Sequence, residues 1–384
     1  MSKFFTLILV VAFVPLTVFG ATFGSKSLLH VQTASTLKQG RLEFRSDMRF
    51  FTKVGDYLGQ NRPPDFTAAN YWLVQGNALF TYGIFNHVDA SLNVRLYQDT
   101  HAYNEYNFPD DLFLDVKVGS FGFSNDRFQV GGLMSFRFPT GEVHNYPFEP
   151  YTAGALEFGF MGLFSFYKDP FLQDRDMSFH ANLGWYNHND AGKVLYQQKN
   201  AQGQVIREFK ASTNATALDF GFGFSYPTEL FDVNLEFWGR NYISAPDSAA
   251  YSRESYMYLT PSVKFKPQWW LSFNVGLDLR VSKDENTTAA VIPDPARGLT
   301  LPNYPAWRMT LGMNVILNQG REKVKTSLGE DADIRKKVDF YEKLVREKEK
   351  SKEIEEELKR LRREREQAQK QLEELKQLLE EQGK

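Results

Sequence analysis

The chain has no cysteine, which excludes a disulfide framework, a thiolate metal site and a cysteine nucleophile. It also lacks net charge: 45 Lys and Arg stand against 47 Asp and Glu, a formal −2, so the balance does not call for nucleic acid. After residue 20 no apolar run approaches the ~18 residues that a membrane-crossing helix needs. There is no P-loop, no GxSxG, no HExxH and no dinucleotide fingerprint. Some lipid hydrolases use a closely spaced His and Ser. Here none of His30, His87, His101, His144, His180 and His188 has Ser two residues on. Ser178 and His180 share a face, but a third triad member and an oxyanion site cannot be read beside them. The chain is therefore read as a non-enzyme without a cofactor or a metal.

What it has in excess is aromatic residues, 15% of the chain with 34 Phe and 18 Tyr. Only Phe340 and Tyr341 lie beyond residue 320, where 37 of the 64 residues from 321 to 384 are charged. Two materials therefore meet near residue 320. Lys3, the apolar run from Phe4 to Val14, and small Gly20 after Val18 have the layout of a secretory signal cut after Gly20. An uncut N-terminal anchor is the alternative, and Pro15 and the shortness of the run speak against it.

Between these ends the chain alternates. From Arg41 to Phe50 the odd positions are all charged, and the even ones are apolar except Ser46. A period of two makes a strand with one polar and one apolar face. The pattern recurs in about twelve segments, near 40–53, 70–84, 88–98, 110–119, 128–138, 153–167, 176–187, 213–226, 231–241, 255–266, 269–282 and 305–317. Each is about ten residues or more, the length a tilted strand needs to cross a bilayer. Connections alternate between long and short, and most prolines fall in them. Pro261 sits inside a segment and is assigned a bulge.

These features predict an all-β transmembrane antiparallel barrel of about twelve strands, its lipid-facing side apolar and both ends of the barrel chain in the periplasm. A soluble sandwich alternates too, but its strands are shorter. The face assigned to the lumen carries Arg41, Glu43, Arg45, Asp47, Arg49, Asp89, Arg95, Asp115, Lys117, Arg137, Glu157, Asp219, Asp232, Glu236, Arg240, Lys264, Asp278, Arg280 and Arg308. Each base turned to lipid would cost about 2–4 kcal/mol, about 20–40 kcal/mol for all of them. Arg41, Arg45 and Arg49, with Arg308 on the closing strand, form the most basic wall and the expected origin of any anion preference.

The segment Thr310-Leu311-Gly312-Met313-Asn314-Val315-Ile316-Leu317 reads polar-x-Gly-x-x-apolar-x-apolar. It resembles the terminal-strand signal of bacterial outer-membrane barrels, porins and transporters among them. That resemblance implies recognition by the barrel assembly machinery through Thr310, Gly312, Val315 and Leu317. Leu317 replaces the usual closing aromatic, and the segment is not the chain end. Phe136-Arg137-Phe138-Pro139-Thr140-Gly141 is similar to a strand-Pro-Thr-Gly segment of transporter-like outer-membrane proteins, including those associated with degradation of aromatic compounds. It also reads as an ordinary turn after a strand.

From 331 to 381 there is neither Gly nor Pro, room for a helix roughly 75 Å long. A heptad seam runs through Leu358, Leu361, Ala368, Leu372, Leu375 and Leu379, weakened by Glu347, Ser351 and Arg365. A coiled coil with a helical partner or with itself is expected, and a lone solvated helix is the alternative. The implied plan is a signal peptide at 1–20, a periplasmic lead at 21–39, a barrel at 40–318, a hinge at 319–330 and a coiled-coil helix at 331–382. Asp110-Asp111 and Asp284-Glu285 lack the spacing of a calcium loop and are read as solvated rim charges. The function expected is a narrow polar pore or transporter for small solutes in the bacterial outer membrane. A closed structural barrel anchoring a partner-binding periplasmic tail is the alternative.

Overall fold

A computed structural model of the chain describes residues 26–55, 69–100, 105–145, 148–170, 173, 176–289, 303–320 and 359–360. The strands are β1 (Arg41–Gly55), β2 (Ala69–Phe85), β3 (Val88–Thr100), β4 (Glu105–Asn107), β5 (Leu112–Phe123), β6 (Phe128–Phe138), β7 (Glu157–Tyr167), β8 (Ser178–Asn187), β9 (Val194–Lys199), β10 (Val205–Lys210), β11 (Thr216–Pro227), β12 (Phe231–Ser244), β13 (Tyr256–Gln268), β14 (Leu271–Arg280) and β15 (Trp307–Gln319). Twelve of them pair antiparallel around a ring, β1-β2-β3-β5-β6-β7-β8-β11-β12-β13-β14-β15, and β15 returns to β1. All twelve alternating segments of the sequence are long strands of this ring. A closed single sheet has no unpaired edge and no second layer, so the sandwich alternative is excluded.

The period of two becomes two surfaces. Along β7, Phe158, Phe160, Phe164 and Phe166 turn outward while Glu157, Gly159, Met161, Leu163, Ser165 and Tyr167 turn inward. Outward positions on other strands leave large side chains such as Phe80, Leu92, Phe179, Phe222, Leu235, Val263 and Leu277 exposed. An apolar surface this continuous is far larger than the patches of a soluble monomer.

Connections sort to two ends. Asn86 and His87, residues 124–127, residues 228–230, and Trp269 with Trp270 make tight turns at one end, where β1 begins and β15 stops. At the other end the connections are long and carry the small hairpin β9–β10, which the sequence reading left inside a loop. These long connections pack on one another: Asn145 donates to the carbonyls of Leu195 and Ala249, and Phe148 N donates to Asn303 O.

Pro261 makes no bulge. Its register is unbroken with both neighbours, Leu235 opposite it on β12 and Ser262 opposite Gly276 on β14. Proline faces outward there, and the ladder loses bonds without adding a residue. Residues 324–384 form a separate unit in which Lys359 and Arg360 are helical. The expected coiled coil, with its seam at Leu358, Leu361, Ala368, Leu372, Leu375 and Leu379, lies outside the described residues.

Candidate functional site

The polar inner face of the ring is the candidate site, and it is occupied by the chain itself. The sequence reading put 21–39 in the periplasm. Residues 26–37 instead run inside the barrel, where Val31, Gln32, Ala34 and Leu37 are completely buried. Their main chain finds partners on the wall that water would otherwise supply, and this holds the segment inside.

The segment is a finger with a tight turn. Leu28 N donates to Val31 O, Thr33 N donates to Lys26 O, and Ser27 bridges to Gln32. At its tip the amides of Leu29, His30 and Val31 all donate to the Glu236 carboxylate, at 2.9, 2.6 and 2.7 Å. Asn182 reads both polar groups of one residue: its Oδ1 accepts from Gln32 N at 2.7 Å, and its Nδ2 donates to Gln32 O at 2.8 Å. Ala34 N donates to Ser165 Oγ, Thr36 N to Ser120 Oγ, and Leu37 N to Asp89 Oδ2, at 2.8, 2.9 and 2.9 Å. Lys117 Nζ donates to the carbonyls of Thr33 and Ser35, and Arg45 to that of Leu28. Side-chain contacts of Ser27, His30, Ser35 and Thr36 are added. His30 hydrogen-bonds Asp278 at 2.7 Å and stacks on Trp238, and Ser35 meets Gln129 and Tyr167.

Room for the finger comes from missing side chains. A Cβ on Gly223 would stand 2.6 Å from Leu28 Cδ1, and Cβ atoms on Gly221 and Gly276 would crowd Val31 and Leu29. Ala34 packs in an inward apolar cluster with Leu133, Met161, Leu163 and Tyr186.

None of the nineteen charged residues assigned to the lumen is exposed. Several are neutralised by acids and bases of the wall, and others are spent on the finger. Arg240 clasps Asp219 with two bonds at 2.7 and 2.9 Å, and the two residues are in register on β12 and β11. Arg308 clasps Asp278 in the same way between β15 and β14. Arg137 meets Asp111 at 2.6 Å and Glu157 at 3.9 Å, and Lys266 meets Asp232 at 2.5 Å. The proposed basic wall is neutralised too. Arg41 pairs with Glu43, Arg49 lies 3.5 Å from Asp47, and Arg45 is spent on the finger. These arginines do not form an unopposed positive strip.

Asp110 and Asp111 are not solvated rim charges. Both are buried, because the chain turns back along β3, where Asp110 N donates to Arg95 O and Arg95 N to Asp111 O. Asp110 then meets Arg95, and Asp111 meets Arg137. Asp284 and Glu285 do sit at the surface, beside Arg280 and Lys283. Nearby Glu149 is pushed up to about 6 by burial, against the pull of Arg95. Burial and the neighbouring Asp190, which accepts its hydroxyl proton, raise Tyr151. His180 lies between Ser165 and Ser178 at 2.8 and 3.0 Å. Neither partner is an acid that could orient it, so the three residues form a hydrogen-bonded row without triad geometry.

Space remains in the lumen beside the finger. A cavity of about 700 Å³ opens at the tight-turn end and is lined by Lys26, Lys38, Arg41, Asp232, Lys264 and Trp270 among others. A smaller one of about 140 Å³ lies beyond the tip, between His30, Arg49, Arg95, Arg240, Trp238 and Tyr256. Among the described residues, no group of three or more His, Cys, Asp or Glu is placed to hold a metal ion.

No family model and no curated protein matches this chain. Solved structures similar to it include the NanC porin, at 12% identity and a TM-score of 0.39 over 71% of this chain and 98% of that one. An outer-membrane channel from Pseudomonas putida F1 aligns at 9% identity and a TM-score of 0.43, covering 74% and 98%. The KdgM porin aligns at 8% identity and a TM-score of 0.36, covering 71% and 99%.

Proposed function

We propose that the protein is a bacterial outer-membrane channel for small solutes, held closed by its own N-terminal finger. The observation that carries this reading is a pair of cavities, about 700 and 140 Å³, each lined in part by the finger, inside a barrel with a polar wall. A barrel built only as an anchor has no need of a polar lumen filled by a separate segment; side chains from the wall would fill it. The outward face supports a bilayer setting. Its apolar strands are flanked by Trp269, Phe85 and Phe231 at the tight-turn end and by Trp72, Trp185 and Trp307 at the other, as two interfacial aromatic belts would be. In that setting the tight-turn end faces the periplasm, and the tail starting at Gly320 leaves on that side. The tail meets a helical partner or a second copy of itself. Assembly proceeds through the closing strand at Thr310, Gly312, Val315 and Leu317.

The filled lumen also suits the rival reading of a closed structural barrel, and planar-bilayer recording separates the two. A channel shows brief openings in the whole protein and a sustained open level once the finger is cut away at the exposed Lys38–Gln39 link. A baseline that stays flat in both forms contradicts the channel and leaves the structural barrel.

A further inference from the structure

More of the bonds that hold the finger go to its main chain than to its side chains. Glu236 takes three successive amides, and Asn182 pairs with the amide and carbonyl of a single residue. Ser165, Ser120 and Asp89 each take one further amide, and Lys117 bridges two carbonyls. These groups belong to six of the twelve ring strands when Arg45 is included. Any peptide without proline at these positions that adopts this turn presents the same amides and carbonyls, whatever its side chains. Side-chain selection is looser. Gly221, Gly223 and Gly276 open hollows where Leu28, Leu29 and Val31 rest, and hollows of this kind admit small and aliphatic side chains generally.

From this geometry we infer that the lumen is a peptide-binding channel: with the finger withdrawn, it takes a short peptide that folds into the same tight turn in the finger's place, held by its backbone. This deepens the channel reading and rests on it, naming short peptides with small and aliphatic side chains as the solute class. The finger is then an internal occupant of the solute's own site. Its path favours such exchange. Its first described residue, Lys26, lines the cavity at the tight-turn end, and its other end leaves at exposed Lys38, so both described ends of the finger lie at the same side of the barrel.

The test uses the full chain with a protease site inserted between Lys38 and Gly40, so that the finger is removed only after the barrel has assembled. Heat-modifiable migration before and after cutting checks that the barrel stays folded. Sustained current after cutting reports the channel. Block of that current by added synthetic peptides reports the inference. A peptide of residues 26–38 should block. An unrelated peptide of small and aliphatic residues that can form the same tight turn should block within about tenfold of the same concentration. The finger peptide N-methylated at His30 and Val31 should need about a hundredfold more, since two bonds to a charged acceptor are lost. If current flows and the unrelated peptide fails to block at a hundredfold excess, or the methylated peptide blocks as well as its parent, the inference is overturned while the channel stands. If no current flows after cutting, the channel reading itself has failed.

Discussion

Glu236→Ala should leave the pore open far more often than the parent chain. This carboxylate is the single acceptor for the three amides of the finger tip, and it is completely buried. A hydrogen bond to a charged group contributes about 1.5–3 kcal/mol. Three of them do not add fully, because water enters the lumen and takes over part of the bonding once the side chain is gone. A net loss of about 3 kcal/mol remains, which shifts the balance between inserted and withdrawn finger by about two decades. Single-channel dwell times measure this directly. Glu236→Gln keeps one acceptor oxygen and should fall between the two. Asp232→Asn, on the same strand but paired with Lys266 rather than the finger, should leave the open fraction near the parent value. An open fraction in Glu236→Ala equal to the parent's would mean that Glu236 is not the latch.

The largest effect on stability is expected at Asp278. Its carboxylate is fully buried and receives two bonds from Arg308, one from Thr260 and one from His30. Arg308→Met removes the fixed positive charge and leaves the acid inside the wall. Breaking a buried pair from one side typically costs about 3–5 kcal/mol, because the surviving charge has lost its partner. Changing both residues, as Asp278→Asn with Arg308→Met, should recover most of that loss. Urea unfolding in lipid vesicles gives the numbers. Two single variants and a double variant that all unfold within about 1 kcal/mol of the parent would show that the pair is not needed to hold β14 against β15.

The barrel was readable because its physics is periodic. A segment such as Phe128–Phe138 must show its apolar residues to one side and its polar ones to the other, so strand, length and facing follow from the same string of residues. The same alternation separates charged from apolar residues along each strand, but it does not say which acid meets which base, because register decides that. Arg240 finds Asp219 only once β11 and β12 are aligned. Asp110 and Asp111 looked like rim charges because a Pro-Asp-Asp run is typical of exposed turns. They are buried by the return of the chain along β3, which no local pattern announces.

The finger was illegible for a deeper reason. Its hold on the wall runs through backbone groups that every sequence has, and the stretch from Ser27 to Leu37 shows neither a period of two nor one of 3.6. The readable trace lay on the other side of the contact. Gly221, Gly223 and Gly276 occupy inward positions on long strands, where missing side chains mark the close approach of another segment.

That the finger closes the lumen is tested most directly by locking it in place. The chain has no cysteine, so a pair introduced as Ala34→Cys with Ser165→Cys has no competing thiol. The two positions adjoin, with Ala34 N donating to Ser165 Oγ at 2.8 Å. Recorded in a planar bilayer, the oxidised double variant should show no openings, and reductant added on the tight-turn side should restore the brief openings of the parent. Oxidised channels that open as often and as widely as the reduced ones, with the disulfide confirmed by mass, would contradict the account.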